Sequence, residues 1–375
     1  MSSNDFYEIE NLTDLICEKN GGKIVFATDD WFAPAENLLL NEDPVFKVGV
    51  FTTYGKWMDG WETRRKRKPG HDWCVIKLGL PGVIRGVEVD TAFFTGNYAP
   101  QFSVQAANLT LEEVKKFPSR PLNSIGTECS QKHLDQINQL HTDDWTEIIP
   151  MTPLNPGYLE SRHNFFKVDT KKCFTHIRLN MFPDGGIARL RVYGDVHYTI
   201  DMNKKEEIDL IALKNGGYCH SYSNAHYGHP KNLIRPGRGK DMGDGWETAR
   251  RADRPPILKI DENNILKVPG NEWAILGLGC VGKIERIEID TAHFKGNYPD
   301  CVKIEGGILN SDEFEWKTIL PSSKLSAHKI HQFGNIDILN NESPFTHVKI
   351  IISPDGGLSR VRIFGKPISN LLGVY

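Results

Sequence analysis

The sequence predicts an all-β protein made of two tandem homologous jelly-roll β-sandwich domains. Three observations carry that expectation. Long blocks of sequence occur twice in the same order, apolar residues within them alternate with polar ones, and turn residues punctuate the chain at short intervals. Asp59-Gly-Trp-Glu-Thr63 returns as Asp244-Gly-Trp-Glu-Thr248. Glu88-Val-Asp-Thr-Ala-Phe-Phe-Thr-Gly-Asn-Tyr98 returns as Glu288-Ile-Asp-Thr-Ala-His-Phe-Lys-Gly-Asn-Tyr298, and Phe174-Thr-His-Ile-Arg178 with Pro183-Asp-Gly-Gly186 returns as Phe345-Thr-His-Val-Lys349 with Pro354-Asp-Gly-Gly357. The offset changes from block to block, so insertions fall between them. A whole domain has been duplicated, which a short solenoid period of about 20–50 residues would not give.

The 375 residues suit two domains, each with enough chain to bury a core of its own. The boundaries read as an N-terminal extension (1–19), a first repeat (20–195), a polar linker (196–208), a second repeat (209–368) and a C-terminal tail (369–375). Leu111-Glu-Glu-Val-Lys-Lys116 reads as one or two helical turns, inside a polar insertion peculiar to repeat 1 that otherwise maps to loop. Repeat 2 instead carries a longer segment after Thr248, rich in proline and charge. Gly86-Val-Glu-Val-Asp90 and Arg286-Ile-Glu-Ile-Asp290 have the period of half-buried strands. His176–Met181 and His347–Ile352 alternate in the same way, and the Pro-Asp-Gly-Gly that follows each predicts a hairpin into Arg189–Tyr193 and Arg360–Phe364.

A composition of 39% hydrophobic and 25% charged residues is that of a soluble globular chain. A formal charge of −3 supplies no general attraction to nucleic acid or an anionic membrane. No apolar run reaches the roughly 20 residues of a membrane span. Neither a secretory leader nor a peroxisomal tripeptide is read at the termini, and the seven cysteines are odd in number and differently placed in the two repeats. The expectation is a cytoplasmic protein with reduced thiols.

A sandwich carries its ligands on loops at one edge, so the repeated polar residues beyond the strands are the candidates. Asp59, Trp61, Glu62, Thr63 and Arg65 form one such cluster, matched by Asp244, Trp246, Glu247, Thr248 and Arg250. A carboxylate, a hydroxyl and a guanidinium on one loop suit a small ligand bearing both N–H donors and an anion. The competing reading makes the tryptophan a packing residue and Glu–Arg an exposed ion pair of at most about 1 kcal/mol. Asp90-Thr91 and Asp290-Thr291 end strands ahead of Asn97 and Asn297. They either orient a ligand amide or water, or cap the strand as Asx or Thr turns. Asp29, Asp30 and Glu36 of repeat 1 face Asn224, Ala225 and Lys231 in repeat 2. That asymmetry fits one catalytic and one supporting copy, and equally fits drift. His220, His226 and His229 raise the question of a metal, but they match no zinc motif and surface histidines read better. Arg64-Arg-Lys-Arg-Lys68 reads as a solvated loop.

Asp59–Arg65, Gly70-His-Asp-Trp73, Val89–Asn97, Thr28–Asn37 and their second copies, with Asn232–Gly239 leading into Met242–Thr248, resemble the allantoicase family over nearly the whole chain. The resemblance implies paired jelly rolls and hydrolysis of allantoate to ureidoglycolate and urea in purine breakdown. The alternatives are a non-catalytic small-ligand-binding tandem jelly roll or an inactive allantoicase. On the family reading Asp29, Glu36, Glu62, Asp90 and His71 are the catalytic candidates. Trp61, Thr63, Arg65, Thr91, Asn97, Glu247, Arg250, Asp290 and Asn297 are the substrate-binding ones. No metal ligand is assigned and no cofactor is required, although a divalent metal stays open. The partner is a small molecule, with no nucleic acid or membrane and with a homo-oligomer left open. Two carboxylates, or a carboxylate and His71, divide the acid and base work.

Overall fold

The computed structural model describes residues 12–122, 124–198, 206–310 and 313–368. The tail 369–375, much of the 1–19 extension and much of the 196–208 linker lie outside these residues. The chain divides into two compact units at His197/Tyr198.

Beside a small Phe51–Thr52/Gly55–Lys56 pair, the first unit has the strands β1 (Thr13–Asp14), β2 (Lys23–Ala27), β3 (Asp29–Asp30), β4 (Trp61–Glu62), β5 (Asp72–Asp90), β6 (Gln101–Ala107), β7 (Thr127–Glu128), β8 (Thr146–Pro153), β9 (His163–Lys167), β10 (Cys173–Phe182), β11 (Gly186–Ile187) and β12 (Arg189–Val196). The organising element is β5, 19 residues long. Its first half, Asp72–Lys77, lies between β2 and β10, and β6 and β8 continue that layer. Its second half, Gly82–Asp90, lies between β9 and β12, with β1 beyond. One strand therefore feeds both layers of a jelly roll. Gly79 and Gly82 sit where it changes layer, and a Cβ at either would lie about as close as 2.4 Å to the backbone of Asn20 or Asp195.

The second unit repeats the plan with β13 (Ile208–Asp209), β14 (Tyr218–Tyr222), β15 (Trp246–Glu247), β16 (Glu272–Asp290), β17 (Cys301–Asn310), β18 (Glu313–Lys324), β19 (Ile330–Phe333), β20 (Phe345–Ser353), β21 (Gly357–Leu358) and β22 (Arg360–Pro367). β16 again has 19 residues and again pairs with β14 and β20 through one half and β19 and β22 through the other. Phe94 and Phe294 are fully buried at matching positions, each contributing roughly 1.5–3 kcal/mol.

Two expectations change. Pro183-Asp-Gly-Gly186 does not close a hairpin: β10 and β12 both pair with β5 and not with each other, so the turn carries the chain from one layer to the other. Gly185 takes φ +139° there, and its Cβ position lies 2.7 Å from the backbone of Tyr98 and Ala99. The repeat 1 insertion is also more than loop. α1 (Leu111–Val114) is closed by a Thr110/Glu113 capping box, and α2 (Gln131–Asn138) starts at Ser130. Ile137, Leu134 and Phe117 pack against Phe26, Trp73 and Val75, roofing the outer face of that layer. The polar residues between them are what give the insertion its loop-like reading.

Candidate active site

Most of the carboxylates singled out in repeat 1 are held by arginines. Asp29 Oδ1 accepts from the backbone N–H of Trp31 at 2.9 Å and of Arg64, and its Oδ2 accepts from Arg64 Nε at 2.8 Å. Arg64 also pairs with Glu128 and stacks on Trp31 at 4.1 Å. Burial raises the Asp29 carboxyl, against those bonds. Arg120, from the insertion, bridges Asp30 and Glu36 at 2.6 Å each. Asp90 receives Arg162 Nε at 3.0 Å and the Ala92 N–H at 2.8 Å, which makes it an Asx turn with an ion pair. Asp59 holds Arg189 at 3.0 Å and the Val45 N–H.

Several binding candidates are buried scaffold. Trp61 is 0% exposed and donates its indole N–H to Asp29 O at 2.8 Å, so it offers no face to a ligand. The Thr63 hydroxyl exchanges bonds with Gly185, and Thr91 donates to Asn155 O at 2.9 Å. Both are sealed from solvent. In the 64–68 run, Arg64 and Lys66 turn inward, Lys66 reaching Asp72 at 2.6 Å, while Arg65, Arg67 and Lys68 are exposed. The expectation of a uniformly solvated loop fails for the inward pair. Arg65 makes no hydrogen bond or ion pair among the described residues.

Glu62 and His71 differ from these. Glu62 is half-buried, accepts from exposed Asn97 Nδ2 at 2.6 Å, and leaves Oε2 without a protein bond among the described residues. Burial raises its carboxyl, opposed by Asn97 and by the charge of Lys56. His71 is half-buried, its ring tilted against Phe182 at 4.5 Å, with Nε2 3.0 Å from Asn180 Oδ1. That oxygen also accepts from Arg178 Nε at 2.9 Å, so the neutral imidazole carries its proton on Nε2 and keeps a lone pair on Nδ1. Burial pushes His71 down. Their sequence neighbours are tied into one frame: Trp61 donates to Asp29 O, and Thr28 Oγ1 donates to Asp72 Oδ1 at 2.6 Å. Asn180, Arg178 and Arg120 were not singled out in the sequence. The signal available for the first two was the polar parity of His176, Arg178 and Asn180, which alternation alone assigned to solvent.

Repeat 2 keeps the scaffold and loses the charges around it. Trp246 donates to Asn224 O at 2.8 Å, and Asn224 Oδ1 accepts from the Ala249 N–H as Asp29 does from Arg64. Ala225 and Lys231 replace Asp30 and Glu36. Glu247 accepts from Asn297, as Glu62 does from Asn97. Asp290 accepts from the Ala292 N–H and pairs with Arg238 at 2.8 Å, and Arg250 is exposed. His220 bonds Ser221, His226 stacks on Tyr227, and His229 accepts from the Lys231 N–H. The three face different surroundings, and among the described residues no three His, Cys, Asp or Glu side chains gather as a metal site. No helix among them is long and apolar enough to cross a membrane.

Comparison with known proteins agrees with this duplicated architecture. The family model described as "Allantoicase repeat" matches residues 13–197 and 208–368. A "Probable allantoicase" of Acinetobacter baumannii (strain AYE) is 42% identical over 362 residues, covering 94% of each chain. That of strain SDF is 43% identical over the same share. The crystal structure of allantoicase from Saccharomyces cerevisiae superposes with a TM-score of 0.74 at 35% identity, over 97% of this chain and 98% of that one. By fold, repeat and sequence, the chain belongs to the allantoicase family.

Proposed function

We propose that the protein hydrolyses allantoate to ureidoglycolate and urea, and that Glu62 and His71 of repeat 1 carry the proton transfers. The observation that carries the assignment is the half-buried Glu62 carboxyl, raised by burial and bonded by Asn97, while Asp29, Asp30, Glu36 and Asp90 are held by arginines. A carboxyl pushed up and an imidazole pushed down have the complementary protonation that acid and base work requires.

Allantoate carries a carboxylate and two ureido groups on one carbon. Protonated Glu62 gives its proton to the nitrogen of one ureido group, the C–N bond breaks, and urea leaves. A water adds to the same carbon, forming the C–O bond of ureidoglycolate, and its proton goes to His71 Nδ1. Proton return from His71 to Glu62 through solvent resets the site. Asn97 orients Glu62, and exposed Arg65 steers the anionic substrate. Asp29, Glu36, Asp90, Trp61, Thr63 and Thr91 hold the frame. In repeat 2, Glu247, Asn297 and Arg250 form a supporting ligand site over the Asp290 turn.

Glu62→Gln tests the reading. It keeps the bond to Asn97 and removes the acid, so kcat should fall at least about 100-fold with melting unchanged. A folded variant with full turnover ends the assignment.

A further inference from the structure

We infer that Arg178, on the outer face of the β2–β8 layer, is the residue that binds the carboxylate of the small ureido acid, through an anion site shared with His71, Asn180 and Gln105. The inference deepens the reading given under Proposed function and rests on it for the identity of the acid.

Arg178 is 6% exposed. Its Nε donates to Asn180 Oδ1 at 2.9 Å and its Nη1 to Thr142 Oγ1 at 2.7 Å, and the guanidinium lies over the Trp73 ring at 3.9 Å. Asn180 Nδ2 in turn donates to Ser103 Oγ at 3.0 Å and Gln105 Oε1 at 2.7 Å. The group is fixed by neutral partners. Among the described residues the carboxylate paired with it is Asp143, 3.9 Å away and 70% exposed. Burial lowers Arg178 to about 10, so the cation is held at a cost that an incoming anion would offset. Each Nη carries two hydrogens, so the end of the fork still presents parallel donors, the geometry that matches a carboxylate.

The second repeat carries a cation at the same position beside an acid that is already paired, Glu305 meeting Lys303 at 2.6 Å. Lys349 stands where Arg178 does, and the residue opposite it in register on the neighbouring strand is Glu305. In repeat 1 the residue opposite Arg178 is Gln105. The side chains of directly opposed residues on adjacent strands touch. Repeat 1 has a cation here too, with an amide where repeat 2 has the acid. His71 and Gln105, on either side of Asn180, are half-buried. With the carboxylate on Arg178, the His71 Nδ1 lone pair is free to accept from a ureido N–H or from water.

Arg178→Gln would be the direct test, but its burial makes a folding failure informative of nothing. Gln105→Glu is preferable: it preserves the acceptor for Asn180, copies the second repeat, and supplies the counter-charge from the chain. Binding of N-carbamoylglycine, a ureido carboxylate, is measured by calorimetry, alongside the KM and kcat for allantoate. The expected result is binding weakened about 10-fold or more and KM raised to the same extent with kcat nearly unchanged, the pattern of lost uniform binding. Asn263→Glu, which adds the same charge at an exposed position of the second unit, should bind within about twofold of the unaltered protein. Equal binding and KM in Gln105→Glu at unchanged melting temperature overturns the inference, and so does an equal loss in Asn263→Glu. Carbamoylglycine binding that is lost in Gln105→Glu, in a protein that never releases urea from allantoate, supports the anion site and refutes the proposed reaction instead.

Discussion

The two repeats share a frame and differ in where they keep charge. In repeat 1 the segment 28–36 carries three acids, and two arginines, Arg64 and Arg120, neutralise them. In repeat 2 the acids and Arg64 are replaced together, by Asn224, Ala225, Lys231 and Ala249. Arg120 belongs to an insertion that repeat 1 alone carries. Acids and bases that vanish as a set are partners of one another. On the reading proposed above, the catalytic groups are instead those left after such partners are paired off, Glu62 and His71.

The largest expected effect tests this division directly. Glu62→Gln should lower kcat by about 10²- to 10⁴-fold, whereas Glu247→Gln, at the same place in the other copy, should leave kcat within about twofold. Equal losses in steady-state kinetics would make the copies equivalent and remove the distinction.

Next comes the ion-pair set. Arg120→Met strands Asp30 and Glu36 as buried charges and should cost about 3–5 kcal/mol in urea unfolding. Making Asp30→Ala and Glu36→Lys as well, as repeat 2 has it, should recover most of that. A triple variant as unstable as Arg120→Met would show that the cost lies in lost packing.

Asn97→Ala sharpens the assignment of Glu62. The Asn97 bond holds the carboxyl down against burial, so its loss should move the Glu62 limb of the pH–rate profile to higher pH. The sign for stability follows from the same direction. Glu62 is raised in the folded chain, so its contribution is full below the unfolded carboxyl's pKa and is lost as pH rises through the folded value. Asn97→Ala should extend that window upward. A limb that stays in place would assign it to another group.

The smallest effect concerns α1, a helix of repeat 1. Thr110→Ala removes its cap and should cost about 0.5–2 kcal/mol, read from thermal melting, with no change in kcat.

The fold was legible because period-2 alternation and duplicated turns mark β structure locally. What that signal cannot contain is which strand a strand meets. The turn at Pro183 was therefore read as a hairpin, though β10 and β12 flank different halves of β5. Of the candidates, the sequence singles out Glu62, Asn97 and His71 through repeated or distinctive motifs, and the proposed reading keeps these three. It was opaque at Asp29, Glu36 and Asp90, whose roles depend on Arg64, Arg120 and Arg162, the last two distant in sequence. Arg178 was missed for a related reason. Alternation gives its face to solvent, and only a polar segment folding over that face buries it.

The short strands at the edge of each unit have a consequence for how such a chain is made. Thr13–Asp14 pairs with Tyr193–Gly194, and Ile208–Asp209 with Phe364–Gly365, so each repeat begins where it ends. During synthesis the first repeat cannot close its edge until nearly all of it has left the ribosome, and the second must wait in the same way. Adjacent ends also allow a copied gene segment to be spliced in frame beside its parent without threading one fold through another.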